Sequence, residues 1–314
     1  MINDTMNIIY FGNGQRGVRC LEILLKGKYN ISAIVGHVGD SDVVRLGKKH
    51  RIPTLQPRKI NENNFVGKLR EYSPDLFVLA GYKQILKKDL INVPKFGSFN
   101  LHGGKLPEYR GVAPINWQII NGEMTGGCCI ILLDEGIDTG DIVEQAYYDI
   151  NENDTAGYVI NKQLELFPPM LISAIENIRR NKLTRVKQDL SMGAYYTRRY
   201  PKDGRINWQK MTAQQAHNLI RALNGPYPPA FCNYNGERYN ILSSLILDEK
   251  IMGLPGRIVL RRENGTVVIA KDKGLLITEI SSQNGIFYSH KIFFFLQFFQ
   301  LFRFFLKKLF EISK

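Results

Sequence analysis

Short apolar runs alternate with stretches of helical spacing through the first half of the chain, the pattern of a sheet with crossover helices. Strands are predicted over 7–11, 29–36, 52–55, 76–80, 97–102, 128–133 and 142–148. Helices are predicted over 16–26, 42–51, 61–71, 113–121 and 154–180, the last capped by Asp154 and kinked at Pro168 and Pro169. The run at 76–80 is wholly apolar and belongs at the centre of a sheet covered on both faces. Pro53 has no amide hydrogen, which puts 52–55 at an edge.

The pattern changes at 184–204, which is polar, basic and aromatic and ends in the turn-forming Pro201-Lys202-Asp203-Gly204. This stretch reads as a linker. After a helix over 213–223, short apolar runs between Gly225 and Ile280 are separated by Gly, Pro and Asn, which predicts a β-barrel of about five strands. The expected fold class is α/β. It comprises a Rossmann-like, mostly parallel sheet over 1–195, a smaller OB-like β-barrel over 196–285 and a terminal amphipathic helix within 286–314.

Nine of the 17 phenylalanines lie between Phe293 and Phe310, so the last stretch breaks from the composition of the rest. Phe295, Phe299, Phe302, Leu306 and Leu309 recur at helical spacing, with Gln297, Gln300, Arg303, Lys307 and Lys308 largely off that line. The apolar run is shorter than the ~20 residues that a bilayer span needs. Its readings are a basic amphipathic helix on a partner or a membrane surface, or a helix docked on its own barrel.

Composition narrows the class. The chain has 314 residues, 44% of them hydrophobic and 23% charged, which fits two soluble globular domains. The net charge of +13 points to an anionic partner: nucleotide phosphates, a polyglutamylated cofactor, RNA or a membrane surface. Cys20, Cys128, Cys129 and Cys232 show no paired spacing and read as reduced thiols of a cytoplasmic protein. Nothing at the N-terminus reads as a signal peptide, and residues 1–5 look like a loose extension before Met6. The five histidines lack paired ligand spacing, so no metal is expected.

Gly12-Asn13-Gly14-Gln15-Arg16-Gly17 has the spacing of a dinucleotide-binding turn between strand and helix. The acidic residue that should close the second strand is missing, since that strand ends Ile34-Val35-Gly36-His37. The turn reads instead as a close helix–sheet approach, or as a set of amides facing an anion.

Asn100 and His102 alternate at the end of a strand, so both project from one face near its carboxyl end, where open α/β sheets bind ligands. Leu106-Pro107-Glu108-Tyr109-Arg110-Gly111 follows, then Pro114, Trp117 and Asn121-Gly122-Glu123. Asp134-Glu135-Gly136-Ile137-Asp138-Thr139-Gly140-Asp141 forms an acid-rich loop able to reach the same crevice. Together these motifs resemble the folate-dependent formyltransferase family, and the likeness extends through Arg199–Trp208 and Arg221-Ala222-Leu223.

That resemblance implies 10-formyltetrahydrofolate as the formyl donor and Asn100, His102 and Asp138 as the catalytic residues. An amine attacks the formyl carbon, and Asn100 donates to the oxygen that gains negative charge. His102 takes or relays the amine's proton, and Asp138 fixes the ring's tautomer and favours its charged form. The resemblance also implies that two loops flank the folate, with Leu79, Gly81, Tyr82, Ile85, Leu132, Asp134 and Gly136 as binding residues.

Within the family the chain looks closest to the enzymes that formylate sugar nucleotides. The 37–42 loop is short and carries two acids, where tRNA-formylating members have a long basic loop. An Asn116–Trp117 pair follows the Arg-Gly motif, and Lys83 stands where a pyrophosphate ligand is expected. Lys83, Tyr109 and Arg110 are accordingly expected at the substrate. The expected acceptor is a nucleotide-linked amino sugar for surface polysaccharide, handled by a homodimer without nucleic acid. The alternative is formyl transfer to methionyl-tRNA, for which the +13 charge would be an electrostatic footprint.

Overall fold

The computed structural model of the protein describes residues 6–234, 236–282 and 285–289. The chain divides into two compact units. The first holds residues up to Ile115, then Thr125–Asp149 and Val159–Arg198; the second holds Asn116–Met124, Ile150–Tyr158 and residues from Arg199 on.

In chain order the elements begin β1 (Ile8–Gly12), α1 (Gly14–Lys26), β2 (Ile31–Val35), α2 (Asp42–Lys49), β3 (Thr54–Leu55) and α3 (Asn63–Glu71). Then come β4 (Leu76–Ala80), α4 (Lys88–Ile91), β5 (Ser98–His102), β6 (Tyr109–Gly111) and α5 (Pro114–Ile120). β7 (Thr125–Leu132), β8 (Ile142–Asp149), α6 (Ala156–Arg179) and β9 (Ala194–Tyr196) follow. The main sheet has the order β3-β2-β1-β4-β5-β7-β8, with β1 to β5 parallel and the last two strands antiparallel. β3 is at the edge, as Pro53 requires, and the wholly apolar β4 is central and fully buried.

Alternation along the strands gives each face its own core. Ile8, Tyr10, Val78, Phe99 and Leu101 pack with Leu21, Leu24, Phe167 and Leu171. Ile9, Phe11, Phe77 and Leu79 pack with Val66, Leu69 and Leu90. Phe99 and Leu101 therefore leave Asn100 and His102 on the opposite face of β5.

Two local expectations are corrected. α6 begins after Thr155, whose hydroxyl accepts from Tyr158 N at 3.4 Å, while the Asp154 carboxylate accepts from Asn151 N at 2.9 Å. Asp154 therefore closes the preceding turn and Thr155 stands at the cap. α6 also runs as one helix through Pro168 and Pro169. The stretch 184–204 is more than a linker: Val186 bridges Ile142, and β9 pairs in parallel with β6.

The second unit contains α7 (Ala213–Ala222), opened by a capping box between Thr212 and Gln215. Its sheet comprises β10 (Ala230–Tyr234), β11 (Glu237–Ile246), β12 (Ile258–Arg262), β13 (Gly265–Ile269), β14 (Gly274–Ser282) and β15 (Gly285–Tyr288), all antiparallel. Leu219, Ile220 and Leu223 share a core with Ile241, Leu275 and Ile277. The sixth strand, β15, pairs with β14 and reaches into the stretch expected to begin the tail. The amphipathic helix expected there lies, from residue 290 on, outside the described residues. Among the described residues no helix is long and apolar enough to cross a membrane.

Candidate active site

Strand register sets where Asn100, His102 and Asp138 meet. Leu132 at the end of β7 pairs with Phe99, and Leu133 N donates to Ser98 O at 2.8 Å. The acid-rich loop therefore leaves the sheet level with the start of β5, not its carboxyl end. It turns back over the face that carries Asn100 and His102.

Asp138 is the point of convergence. Its Oδ1 lies 3.4 Å from Asn100 Nδ2 and 3.4 Å from His102 Nδ1, while its Oδ2 accepts from Gly111 N at 2.9 Å. On the far side of the ring, His102 Nε2 donates to Tyr109 O at 2.7 Å. The short contacts are to backbone and the long ones join side chains, so the chain aims three polar groups at one another and leaves room between them. Burial alone would raise the Asp138 carboxyl, but the His102 ring in its charged form, the Gly111 amide and the Arg110 guanidinium hold it below the ordinary carboxylate value.

β6 matters because its backbone, more than its side chains, faces this cluster. Gly111 has φ +96°, and a Cβ there would collide with the Tyr196 carbonyl oxygen across the β6–β9 pair. Only glycine brings its amide to Asp138 in this arrangement.

Of the residues expected at the substrate, Tyr109 and Arg110 make contacts within the fold. The Tyr109 ring is 3% exposed and stacks on Tyr196 at 4.9 Å, so what it presents to the site is its carbonyl. Arg110 donates to Leu190 O at 3.0 Å and Gly193 O at 3.1 Å, tying the 190–193 turn to β6. Lys83 is exposed, and its backbone N–H donates to His37 Nε2 at 3.1 Å.

Of the residues expected at the folate, Leu79 and Leu132 are buried at strand ends, while Asp134 and Gly136 lie in the exposed loop before Asp138. Asp134 accepts from Gly136 N at 3.0 Å and from Thr139 Oγ1 at 2.7 Å, which shapes that loop. Gly81 has φ +73°, and a Cβ there would press on the Asn13 carbonyl oxygen. The Tyr82 ring stacks on His37 with centroids 4.6 Å apart, and burial pushes its phenol up to about 12. Burial first and then the charge of Lys83 lower His37, whose Nε2 is thus free to accept. Ile85 and Ile137 are 66% and 43% exposed on these two loops. Apolar side chains held open beside polar backbone suit a flat aromatic ligand.

Two contributors had no sequence signal that would have found them. Gln188, in the supposed linker, donates to Asp138 O and Gly140 O. His37 supports the 82–83 turn from the loop after β2.

Residues 6–175 match the family described as formyl transferase, and residues 199–294 match its C-terminal domain. Methionyl-tRNA formyltransferase of Clostridium beijerinckii is 35% identical over 292 residues, covering 89% of this chain and 93% of the relative. The bifunctional polymyxin resistance protein ArnA of Wigglesworthia glossinidia brevipalpis is 34% identical over 280 residues, covering 87% of this chain but 42% of its own length. The structure of an N-formyltransferase from Helicobacter canadensis superposes with a TM-score of 0.68 at 23% identity, covering 88% of this chain and all of that one (100%). At that identity the likeness is one of fold.

These comparisons overturn the expectation of a nucleotide-linked amino sugar as acceptor. Relatives at 31% to 35% identity over most of both chains carry the name methionyl-tRNA formyltransferase. The geometry explains the misreading. Tyr109 stacks on Tyr196, Arg110 holds two backbone carbonyls, and Asn116 is buried and donates to Ala222 O at 2.5 Å, contacts that serve the fold whatever the acceptor. Matched in both its N-terminal and C-terminal parts, the chain belongs to the formyl transferase family.

Proposed function

We propose that the protein transfers a formyl group from 10-formyltetrahydrofolate to the α-amine of methionine carried on tRNA. The observation that carries the reading is the identity to methionyl-tRNA formyltransferases across about nine-tenths of both chains, 89% and 93% in one case. The net charge of +13 supports a polyanionic acceptor.

The folate supplies a formyl carbon open to attack by an amine. Leu79, Gly81, Tyr82, Ile85, Leu132, Asp134 and Gly136 would hold it between the two loops. His102 Nε2 is committed to a carbonyl that only accepts, so in the neutral ring the lone pair sits on Nδ1. Nδ1 takes a proton from the attacking amine and passes it to the tetrahydrofolate nitrogen as the bond from that nitrogen to the formyl carbon breaks, and the Asp138 carboxylate stabilises the ring while it is charged. Asn100 offers its amide hydrogens to the formyl oxygen as negative charge builds there, a role worth on the order of 3 kcal/mol.

The test is an incubation with formyl-labelled donor and methionyl-tRNA, followed by recovery of the tRNA fraction. Label in formyl-methionine is expected. Donor turnover on some other amine, with none in that fraction, would reject this acceptor.

A further inference from the structure

Asp138 reaches His102 from a largely exposed loop. Asp134, Glu135, Gly136 and Ile137 are exposed, and Asp138 itself has φ +56°, a conformation that side-chain-bearing residues adopt rarely and under strain. A brace comes from outside the loop. Gln188 Nε2 donates to Asp138 O at 2.9 Å and to Gly140 O at 2.6 Å, and the residue is 7% exposed. Gln188 is itself fixed on both sides. Val186 and Ile142 exchange two backbone hydrogen bonds of 2.9 Å, and Arg110 grips the carbonyls of Leu190 and Gly193.

We infer that Gln188 is a positioning residue for formyl transfer, clamping the backbone around Asp138 so that its carboxylate stays aimed at His102 and the Gly111 amide. The inference rests on the reading of Asp138 as the partner of His102. One carboxamide uses both hydrogens on two carbonyls of the same turn, which a residue serving only to fill space has no need to do. The charged groups acting on the Asp138 carboxyl from packed elements are His102 on β5 and Arg110 on β6. On its own loop, Asp134 is engaged with Gly136 and Thr139. If the clamp is lost, the carboxylate swings away from His102 and Gly111, and the ring loses its partner in the step where it becomes charged.

The experiment compares wild type, Q188M and H102A on whichever amine the wild type formylates, so a wrong acceptor leaves the test intact. Q188M keeps the volume and removes both hydrogen bonds. Expected are a kcat lower by ~10-fold or more and a donor KM within ~2-fold. A folded Q188M with wild-type kcat overturns the inference, whether or not its Tm is lower. Full activity in H102A would instead reject the catalytic reading beneath it. Should Q188M fail to fold, Q188E, which places a carboxylate against the two carbonyls, is read by the same criteria. If neither folds, Gln188 belongs to the folding core and the positioning role falls.

Discussion

The Nε2 of His102 donates to the carbonyl of Tyr109 at 2.7 Å, and that one bond decides which ring nitrogen is basic. Nδ1 keeps the lone pair, and Nδ1 is the nitrogen that faces Asp138 at 3.4 Å. A buried tyrosine, itself held by β9, thereby sets the tautomer of His102, the base in the proposed reaction.

His102→Ala should lower kcat by ~100-fold or more, the range for loss of a positioned base. Single-turnover transfer on the folded fraction measures this, because removing a 5% exposed ring also costs stability. Near wild-type turnover in folded protein would take His102 out of the reaction.

Asp138→Asn should change how stability depends on pH. The carboxyl is held below its ordinary value in the folded protein, despite the opposing effect of burial. A group depressed in this way adds stability above its unfolded value and gives it up as pH falls through the folded one. The variant should therefore be destabilised most above about pH 5 and progressively less as pH drops below about 4. Urea unfolding of both proteins across that range tests it. A gap that stays constant with pH would mean that the charge of Asp138 contributes nothing.

Gly111→Ala should cost both stability and turnover. The added Cβ meets the Tyr196 carbonyl at a backbone φ of +96°, so either β6 parts from β9 or the amide leaves Asp138. A loss of ~1 kcal/mol or more is expected from the conformation alone. Thermal unfolding and kcat together check it, and a variant unchanged in both would show that the Gly111 amide is dispensable.

The layout of the sheet was legible because its strands are apolar runs whose periodicity comes from one chain segment at a time. β4 with Leu76–Ala80 and β5 with Asn100 and His102 stand where that pattern puts them. The contributions of 184–204 were not legible. Gln188 and β9 act by pairing with residues distant in sequence, and a polar, basic stretch carries no period that reveals such pairing. The acceptor was misjudged for a related reason. Tyr109 and Arg110 were expected at the substrate and the Asn116–Trp117 pair was read as a mark of the subfamily, but the side chains of Tyr109, Arg110 and Asn116 satisfy backbone and stacking demands inside the fold. A polar residue in a motif can serve either end, and only three-dimensional partners separate the two.

The acceptor reading makes a prediction about salt. The chain carries 42 Lys and Arg against 29 Asp and Glu. A protein that neutralises phosphates releases their counterions, so affinity falls with salt by a log–log slope of about −0.9 for each duplex phosphate contacted. Contact with about four phosphates would lower kcat/KM for methionyl-tRNA on the order of 100-fold over a fourfold rise in salt. The KM for the folate donor, measured at saturating tRNA, should move far less, because a small ligand releases few ions. Steady-state kinetics at several salt concentrations, varying one substrate at a time, separates the two. Parallel losses for both substrates would indicate a general effect of salt on the enzyme. A flat response for the tRNA would mean that the positive charge serves another partner, and the nucleic-acid acceptor would have to be abandoned.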